Sequence, residues 1–95
     1  MNAENLYRAE LLRLHGELLF AIAENENFEV AERHFKTAIN LATEQQAHCF
    51  YIRATASLAN LLRRTNRDEQ ASRLTAPLKD DLSLYATSSE LMKRL

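Results

Sequence analysis

Apolar residues recur along this chain at intervals of three and four, which is the spacing of an apolar face on an α-helix. The first stripe lies in a helix predicted over residues 4–23 and includes the only glycine: Leu12, Gly16, Leu19 and Ala23. A second set of apolar residues lies beside it on the same helix: Leu11, Leu14, Leu18 and Ile22. Because the apolar face is this wide, the first helix needs more than one neighbouring helix to cover it.

The polar stretch ENEN interrupts this pattern, and a second helix is predicted over residues 28–45. Its apolar residues form one narrow stripe: Ala31, Phe35, Ala38 and Ala42. Asn27 is the expected N-cap of this helix, because an asparagine side-chain oxygen accepts a free backbone N–H at a helix start. A third helix is predicted over residues 48–64, with its stripe at Ile52, Thr55, Ala59 and Leu62.

Capping signals predict two further helices towards the C-terminus. Asn66 followed by Glu69 has the spacing of a capping box, which predicts the start of a fourth helix. Pro77 lacks a backbone N–H and therefore kinks or ends that helix. Thr87 followed by Glu90 is a second capping box and predicts a short last helix.

The two halves of the chain resemble each other. Residues 10–19 align with residues 53–62 at an offset of 43, and residues 30–38 align with residues 70–78 at an offset of 40. The difference of three residues predicts a longer turn between helices in the first half, around ENENF. Helix pairs repeated at a period of about 34–45 residues are typical of helical solenoids.

The large and small residues of these pairs resemble the tetratricopeptide repeat pattern. The matching residues are Leu12, Gly16, Leu19, Ala31, Phe35 and Ala38 in the first pair and Ala59, Leu62 and Ala71 in the second. Over residues 9–80 the chain is also similar to the C-terminal tetratricopeptide segment of bacterial signalling ATPases, including cyclase-linked and transcription-regulator types. The resemblance implies one all-α domain of stacked antiparallel helix-turn-helix pairs. Repeat one covers residues 4–45, repeat two covers residues 48–79, and a C-terminal capping helix lies within residues 80–95.

Gly16 stands in the middle of a predicted helix, where it costs about 1 kcal/mol relative to alanine. In the tetratricopeptide pattern, small residues sit where paired helices touch. We therefore expect the second helix to cross the first close to Gly16, against Ala31 and Phe35. The alternative is a glycine that the helix merely tolerates.

Composition narrows the class of protein. No apolar run reaches the length of a membrane-spanning helix, and the polar start MNAENLYRAE differs from a signal peptide. A single cysteine, Cys49, excludes an internal disulfide and suits a reducing cytoplasm. We therefore expect a cytoplasmic protein with no membrane partner.

Charge is unevenly distributed along the chain. Residues 1–50 hold four Lys and Arg against eight Asp and Glu, whereas residues 51–95 hold eight against five. A nucleic-acid-binding domain is usually more basic overall, so no nucleic-acid partner is expected. Halves of opposite sign favour association with another charged surface, and they are also typical of solvated helix faces.

The candidate chemical groups do not form a catalytic or metal-binding motif. His15 is expected to be half-buried or at a helix interface, and His34 is expected to be mostly exposed. His48 and Cys49 are adjacent, but a zinc site needs three or four ligands at compatible spacing. Cys49 is therefore expected to be a buried small hydrophobe. The chain also lacks a glycine-rich phosphate loop, so we expect no metal, no cofactor and no enzymatic activity.

The remaining candidate for function is a binding surface. In tetratricopeptide solenoids, the first helix of each pair lines a concave face that holds peptides. The resemblance assigns to this face the residues Glu10, Arg13, Glu17, Phe20, Arg53, Ala56, Asn60, Arg63 and Arg64. The arginines are suited to hold a peptide carboxylate or an acidic side chain. The prediction is a protein–protein interaction module in a bacterial signalling or regulatory context, which binds a peptide or partner helix. The alternative is a structural self-association domain, or the terminal cap of a longer solenoid with no peptide ligand.

A homodimer is expected from the number of repeats. Helical repeats bury their apolar faces against neighbouring repeats, and about three are normally needed for stability, whereas this chain has two. Part of the first helix should therefore stay uncovered, at Leu11, Leu14, Leu18 and Ile22. Such a patch marks an interface, most simply a twofold one. The C-terminal apolar residues either fold back as a cap or supply the complementary surface: Leu82, Tyr85, Leu91, Met92 and Leu95.

Overall fold

A computed structural model describes residues 7–22 and 24–78, with the backbone alone for residues 24–26. Within this part the chain forms four α-helices and a 3₁₀ turn: α1 (Arg8–Ile22), α2 (Glu24–Glu44), α3 (His48–Arg64), α4 (Asp68–Thr75) and the turn Ala76–Leu78. The predicted all-α fold is confirmed for these residues. The helix expected after Thr87 and the cap expected over residues 80–95 lie outside the described residues.

The junction between α1 and α2 is shorter than the sequence indicates. The expected long turn around ENENF is wrong, because α1 ends at Ile22 and α2 begins at Glu24. The extra residues of the first repeat lengthen the start of α2 instead. Asn27 consequently lies inside α2 and is not its N-cap. Its side-chain Nδ2 donates a hydrogen bond of 3.0 Å to the carbonyl of Leu19, in the last turn of α1.

Helices α2 and α3 end in the same way. Gln46 and Asn66 follow them in the left-handed region, with φ values of 56° and 63°. The next N–H then donates back to a carbonyl five residues earlier, from Ala47 to Ala42 (2.9 Å) and from Arg67 to Leu62 (2.7 Å). Both turns are therefore Schellman motifs, which satisfy free carbonyls at a helix end.

This geometry corrects the predicted capping box at Asn66 and Glu69. Asn66 belongs to the end of α3, and the residue at the N-cap of α4 is Arg67, whose side chain makes no capping hydrogen bond. Helix α4 ends at Thr75, two residues before Pro77, and a 3₁₀ turn follows. The predicted stop at Pro77 is thus confirmed, because proline cannot donate to the helix ladder and also restricts the residue before it.

The core lies around α3. Consecutive helices pack against each other, and α1 additionally packs against α3. Seven residues of α3 are buried, all between Ala54 and Leu62. The core cluster combines two rings with small and aliphatic residues: Phe20, Ala31, Phe35, Leu58, Ala59, Leu61, Leu62 and Ala71.

The predicted close approach at Gly16 is present, and its partner is the ring of Phe35. A Cβ atom placed on Gly16 would lie 2.7 Å from Phe35 Cε1 and 3.0 Å from Phe35 Cδ1. Real Cβ atoms do not approach a carbon this closely. Because Phe35 is itself only 1% exposed, the ring has no solvent into which it can turn. Gly16 is therefore what allows α2 to lie this close to α1.

The other predicted packing residues fall into two groups. Ala31, Ala38, Ala59, Leu62 and Ala71 are buried, whereas Leu12 and Leu19 are half-buried. Thr55 is fully buried, although its hydroxyl oxygen has no hydrogen-bond partner among the described residues. The core of α3 thus contains one polar atom whose burial is not compensated.

Candidate protein-interaction surface

One face of α1, continued by Tyr7 directly before the helix, exposes five large apolar side chains. Their exposed fractions are 55% for Tyr7, 63% for Leu11, 48% for Leu14, 59% for Leu18 and 69% for Ile22. They are spaced four, three, four and four residues apart, so they form one line along the helix. We call this line the α1 stripe. The residues that the sequence leaves uncovered are therefore the ones that the structure exposes.

The α1 stripe is exposed because the neighbours of α1 cover its other side. Ala9, Gly16 and Phe20 are the buried residues of α1, and they lie across the helix from the stripe. Together the five stripe residues expose roughly 500 Å² of surface, which is in the range of patches that serve as interaction sites. Isolated exposed leucines need no explanation, whereas a continuous line of this size does.

Helices α1 and α3 lie side by side, and residues that align between the two halves of the sequence are in contact. The rings of Tyr7 and Phe50 are 5.9 Å apart, and Arg53 Nη1 lies 3.4 Å from Glu10 Oε1. Both pairs are 43 residues apart, which equals the offset between the two halves of the sequence. Because the contacts advance in the same direction on both helices, α1 and α3 run parallel.

The charged groups between α1 and α3 are largely paired with each other. Arg13 holds Glu10 through two hydrogen bonds, one of them from Nε to Glu10 Oε2 at 3.1 Å. Arg13 Nη1 also donates to the hydroxyl of Ser57 at 3.3 Å. The side chains of Glu10 and Arg13 are only 13% and 14% exposed. Arg13 therefore stabilises the contact of α1 with α3 and does not present an uncompensated charge to a ligand.

The other residues predicted to line the concave face differ in how far they are exposed. Phe20 is 6% exposed and belongs to the core, so its assignment to a ligand-binding face is corrected. Glu17 and Ala56 are half-buried, whereas Arg53, Asn60, Arg63 and Arg64 are exposed on α3. At about 100° per residue, Arg53, Asn60 and Arg64 share one face of α3 and Arg63 lies about a quarter turn away. Arg63 and Arg64 also occupy the last turn of α3, where a positive charge complements the helix dipole.

A pair of histidines joins α1 to α2. His15 Nδ1 and His34 Nε2 are 3.0 Å apart, and the rings meet edge to face with their centroids 4.6 Å apart. This hydrogen bond needs one donor and one acceptor, so at least one ring is neutral. His15 lies at a helix interface as predicted. His34 is half-buried because its ring packs against His15, so the prediction that it is mostly exposed is wrong. The sequence alone does not show that the two rings meet.

The other candidate chemical groups are dispersed. Cys49 is exposed, which corrects the prediction that it is buried; it lies in the first turn of α3, away from the core cluster. In the part of the chain that the structure describes, no three His, Cys, Asp or Glu side chains lie together as metal ligands would. No described helix has both the length and the apolar character needed to cross a bilayer.

An ion-pair cluster that the sequence does not reveal joins α2 to the turn before α4. Glu32 Oε1 accepts a hydrogen bond from Arg67 Nη2. Glu32 Oε2 also forms an ion pair with Lys36 Nζ, at a distance of 2.9 Å. The Arg67 hydrogen bond lowers the pKa of the Glu32 carboxyl below its ordinary value of 4.5, partial burial opposes this, and Lys36 adds to the lowering. The cluster borders an open groove of about 380 Å³, lined by Phe28, Glu29, Glu32, Arg33, Lys36 and Arg67.

Comparison of the chain with protein-family models, with curated proteins and with solved structures finds no match.

Proposed function

We propose that this chain is a protein–protein interaction module that binds its partner through the α1 stripe. One observation carries the proposal: five large apolar side chains lie exposed in a single line along α1. Large exposed apolar patches on folded chains mark interaction sites. An amphipathic helix is the element that such a line accommodates best, because helices present apolar residues at the same spacing.

The arrangement of the helices supports the same proposal. The parallel contact of α1 with α3 at equivalent repeat positions agrees with the stacking that a tetratricopeptide-like solenoid uses. In such a stack each repeat is covered by its neighbours, and the exposed apolar face of α1 is a surface that a further element would cover. We place this module in the cytoplasm, in a bacterial signalling or regulatory setting, on the basis of the sequence resemblance and the single cysteine.

Site-specific photo-crosslinking in cells tests the proposal. A photoreactive amino acid at Leu14, in the middle of the α1 stripe, is expected to form discrete adducts with a protein partner. The same amino acid at Asn40, an exposed residue of α2, is the matched control and is expected to form none. Equal labelling from both positions, or none from Leu14, would contradict the proposal.

The concave face of the repeat pair is a second candidate surface. Arg53, Asn60 and Arg64 are exposed along one side of α3, which suits an acidic or C-terminal peptide segment. Affinity for an acidic peptide should then fall with added salt and with the double substitution Arg63→Glu/Arg64→Glu. Binding that is insensitive to both would exclude this face and leave the α1 stripe as the candidate.

A further inference from the structure

We propose that the partner of the α1 stripe is a second copy of this chain, with two α1 helices packed side by side around a twofold axis. This inference rests on the proposed function and names its partner. It is carried by three properties of the stripe: its area, its spacing and the charges along its two edges.

The area of the stripe reaches the lower limit for a specific dimer. Each copy exposes roughly 500 Å² at the five stripe residues, so a twofold contact buries about 1,000 Å² from the stripes alone, which reaches the lower limit of specific interfaces. The flanking polar residues add to this. A second copy also supplies an equally apolar surface of equal length, because a twofold interface uses the same patch on both subunits.

The spacing of the stripe is that of a helix–helix seam. Tyr7, Leu11, Leu14 and Leu18 alternate at intervals of four, three and four residues, which are the a and d positions of a heptad pattern. Side chains at these positions insert between four residues of the facing helix. A second α1 presents the same knobs and the same holes, so the seam is complementary to itself.

The two edges of the stripe carry opposite charges. Glu17 lies along one edge, where Glu10 is already paired with Arg13 and Arg53, and Arg8 lies along the other. When two α1 helices run parallel, the acidic edge of one copy lies beside the basic edge of the other. An antiparallel pair would place acidic edges beside each other, and like charges across an interface are disfavoured. The charge pattern therefore favours a parallel pair.

The oligomeric state of the full chain tests the proposal. Sedimentation equilibrium from low to high micromolar concentration is expected to show a monomer–dimer equilibrium for the native chain. The double substitution Leu14→Glu/Leu18→Glu should give a monomer over the whole range. Because both leucines are exposed, its circular dichroism and thermal midpoint should stay close to native, which separates loss of the dimer from loss of the fold. The matched control Thr37→Glu/Asn40→Glu changes two exposed residues of α2 and should still dimerise.

Other occupants of the stripe give different results. A monomer at all concentrations would overturn the proposal, and it would favour coverage by the apolar residues of segment 79–95 or by another protein. A dimer that survives Leu14→Glu/Leu18→Glu would also overturn it, because the copies would then meet elsewhere. Crosslinks from Leu14 to a different protein, together with a monomeric chain, would reject the second copy while leaving the interaction function intact.

Disulfide trapping tests the direction of the pair. In a Cys49→Ser background, Leu18→Cys should crosslink to itself under mild oxidation if the helices are parallel, since equivalent residues then lie within disulfide distance. An antiparallel pair would instead crosslink only when Leu11→Cys and Leu18→Cys chains are mixed. Crosslinking in neither case would contradict an α1–α1 seam.

Discussion

At the scale of single residues, the contact between Gly16 and Phe35 determines how closely the first two helices approach. Glycine lowers the helix propensity of α1 at this position, but the ring of Phe35 occupies the space that a side chain would fill. The contact also explains the size pattern of the sequence, in which one small and one large residue face each other across two helices. Substitutions at either position therefore act on the pair.

Replacing Gly16 with alanine tests this pair. Alanine raises helix propensity by about 1 kcal/mol, but overpacking against a buried ring costs about 1–3 kcal/mol. We expect a net loss of up to about 2 kcal/mol in the free energy of unfolding, measured by urea denaturation. In a Phe35→Leu background the same substitution should cost less, because the added methyl group then has room. A higher stability of Gly16→Ala in the native background would show that the ring moves aside.

Removing the buried hydroxyl of Thr55 should increase stability, whereas adding a methyl group at Gly16 should decrease it. An unsatisfied buried polar atom costs about 1–3 kcal/mol, and valine keeps the shape of threonine without that atom. Thr55→Val should therefore raise the free energy of unfolding by about 1 kcal/mol. Thr65→Val is the control, because the Thr65 hydroxyl donates to the Leu61 carbonyl at 2.9 Å, and its removal should destabilise the chain. Loss of stability in both variants would mean that Thr55 has a partner.

At the scale of elements, hydrophobic periodicity predicts the four described helices and both ends of α3, but it misplaces the start of α2. The polar residues of ENEN resemble a loop in the sequence, yet their backbone forms the first turn of α2. Asn27 and Asn66 are both asparagines, a residue type that suits an N-cap. Each instead serves the end of the preceding helix, since an asparagine is also suited to donate to a carbonyl or to adopt positive φ. Sequence does not distinguish these uses without the path of the chain.

The two Schellman turns make a comparative prediction. Gln46 holds a positive φ that is unfavourable for a residue with a Cβ, whereas asparagine tolerates it better. Gln46→Gly should therefore stabilise the chain by about 0.5–1 kcal/mol, and Asn66→Gly should have a smaller effect. Thermal unfolding followed by circular dichroism measures both. A lower midpoint for Gln46→Gly would contradict the left-handed conformation at this turn.

At the scale of the whole molecule, the sequence indicates the two helix pairs and the apolar face left uncovered, but it does not indicate the polar contacts that join the pairs. The pairing of Glu10 with Arg13 removes a predicted ligand-binding charge, and the burial of Phe20 removes a predicted ligand contact. Both depend on how α3 lies against α1. Likewise, Glu32 and Arg67 are 35 residues apart and meet only because the turn before α4 returns to α2.

The Glu32 contact predicts how the molecule responds to acid. Its lowered pKa means that the unfolded chain binds this proton more readily than the folded chain does. The contact therefore contributes stability above pH 4.5, and this contribution is lost as the pH falls through the lower pKa of the folded state. Glu32→Gln should lower stability at neutral pH and flatten its dependence on pH in this acidic range. Glu69→Gln removes an exposed carboxylate paired with Arg73 and should change little. Parallel pH curves for the native chain and Glu32→Gln would contradict this role.

The central position of α3 has a consequence for the order in which the molecule opens. Its backbone amides are covered by contacts with three other helices, whereas α4 contributes a single buried residue, Ala71. Amide hydrogen exchange should therefore be slowest in the middle of α3, where exchange requires global unfolding, and fastest in α4, which is able to open alone. Equal protection of both helices would mean that the whole chain unfolds as one cooperative unit.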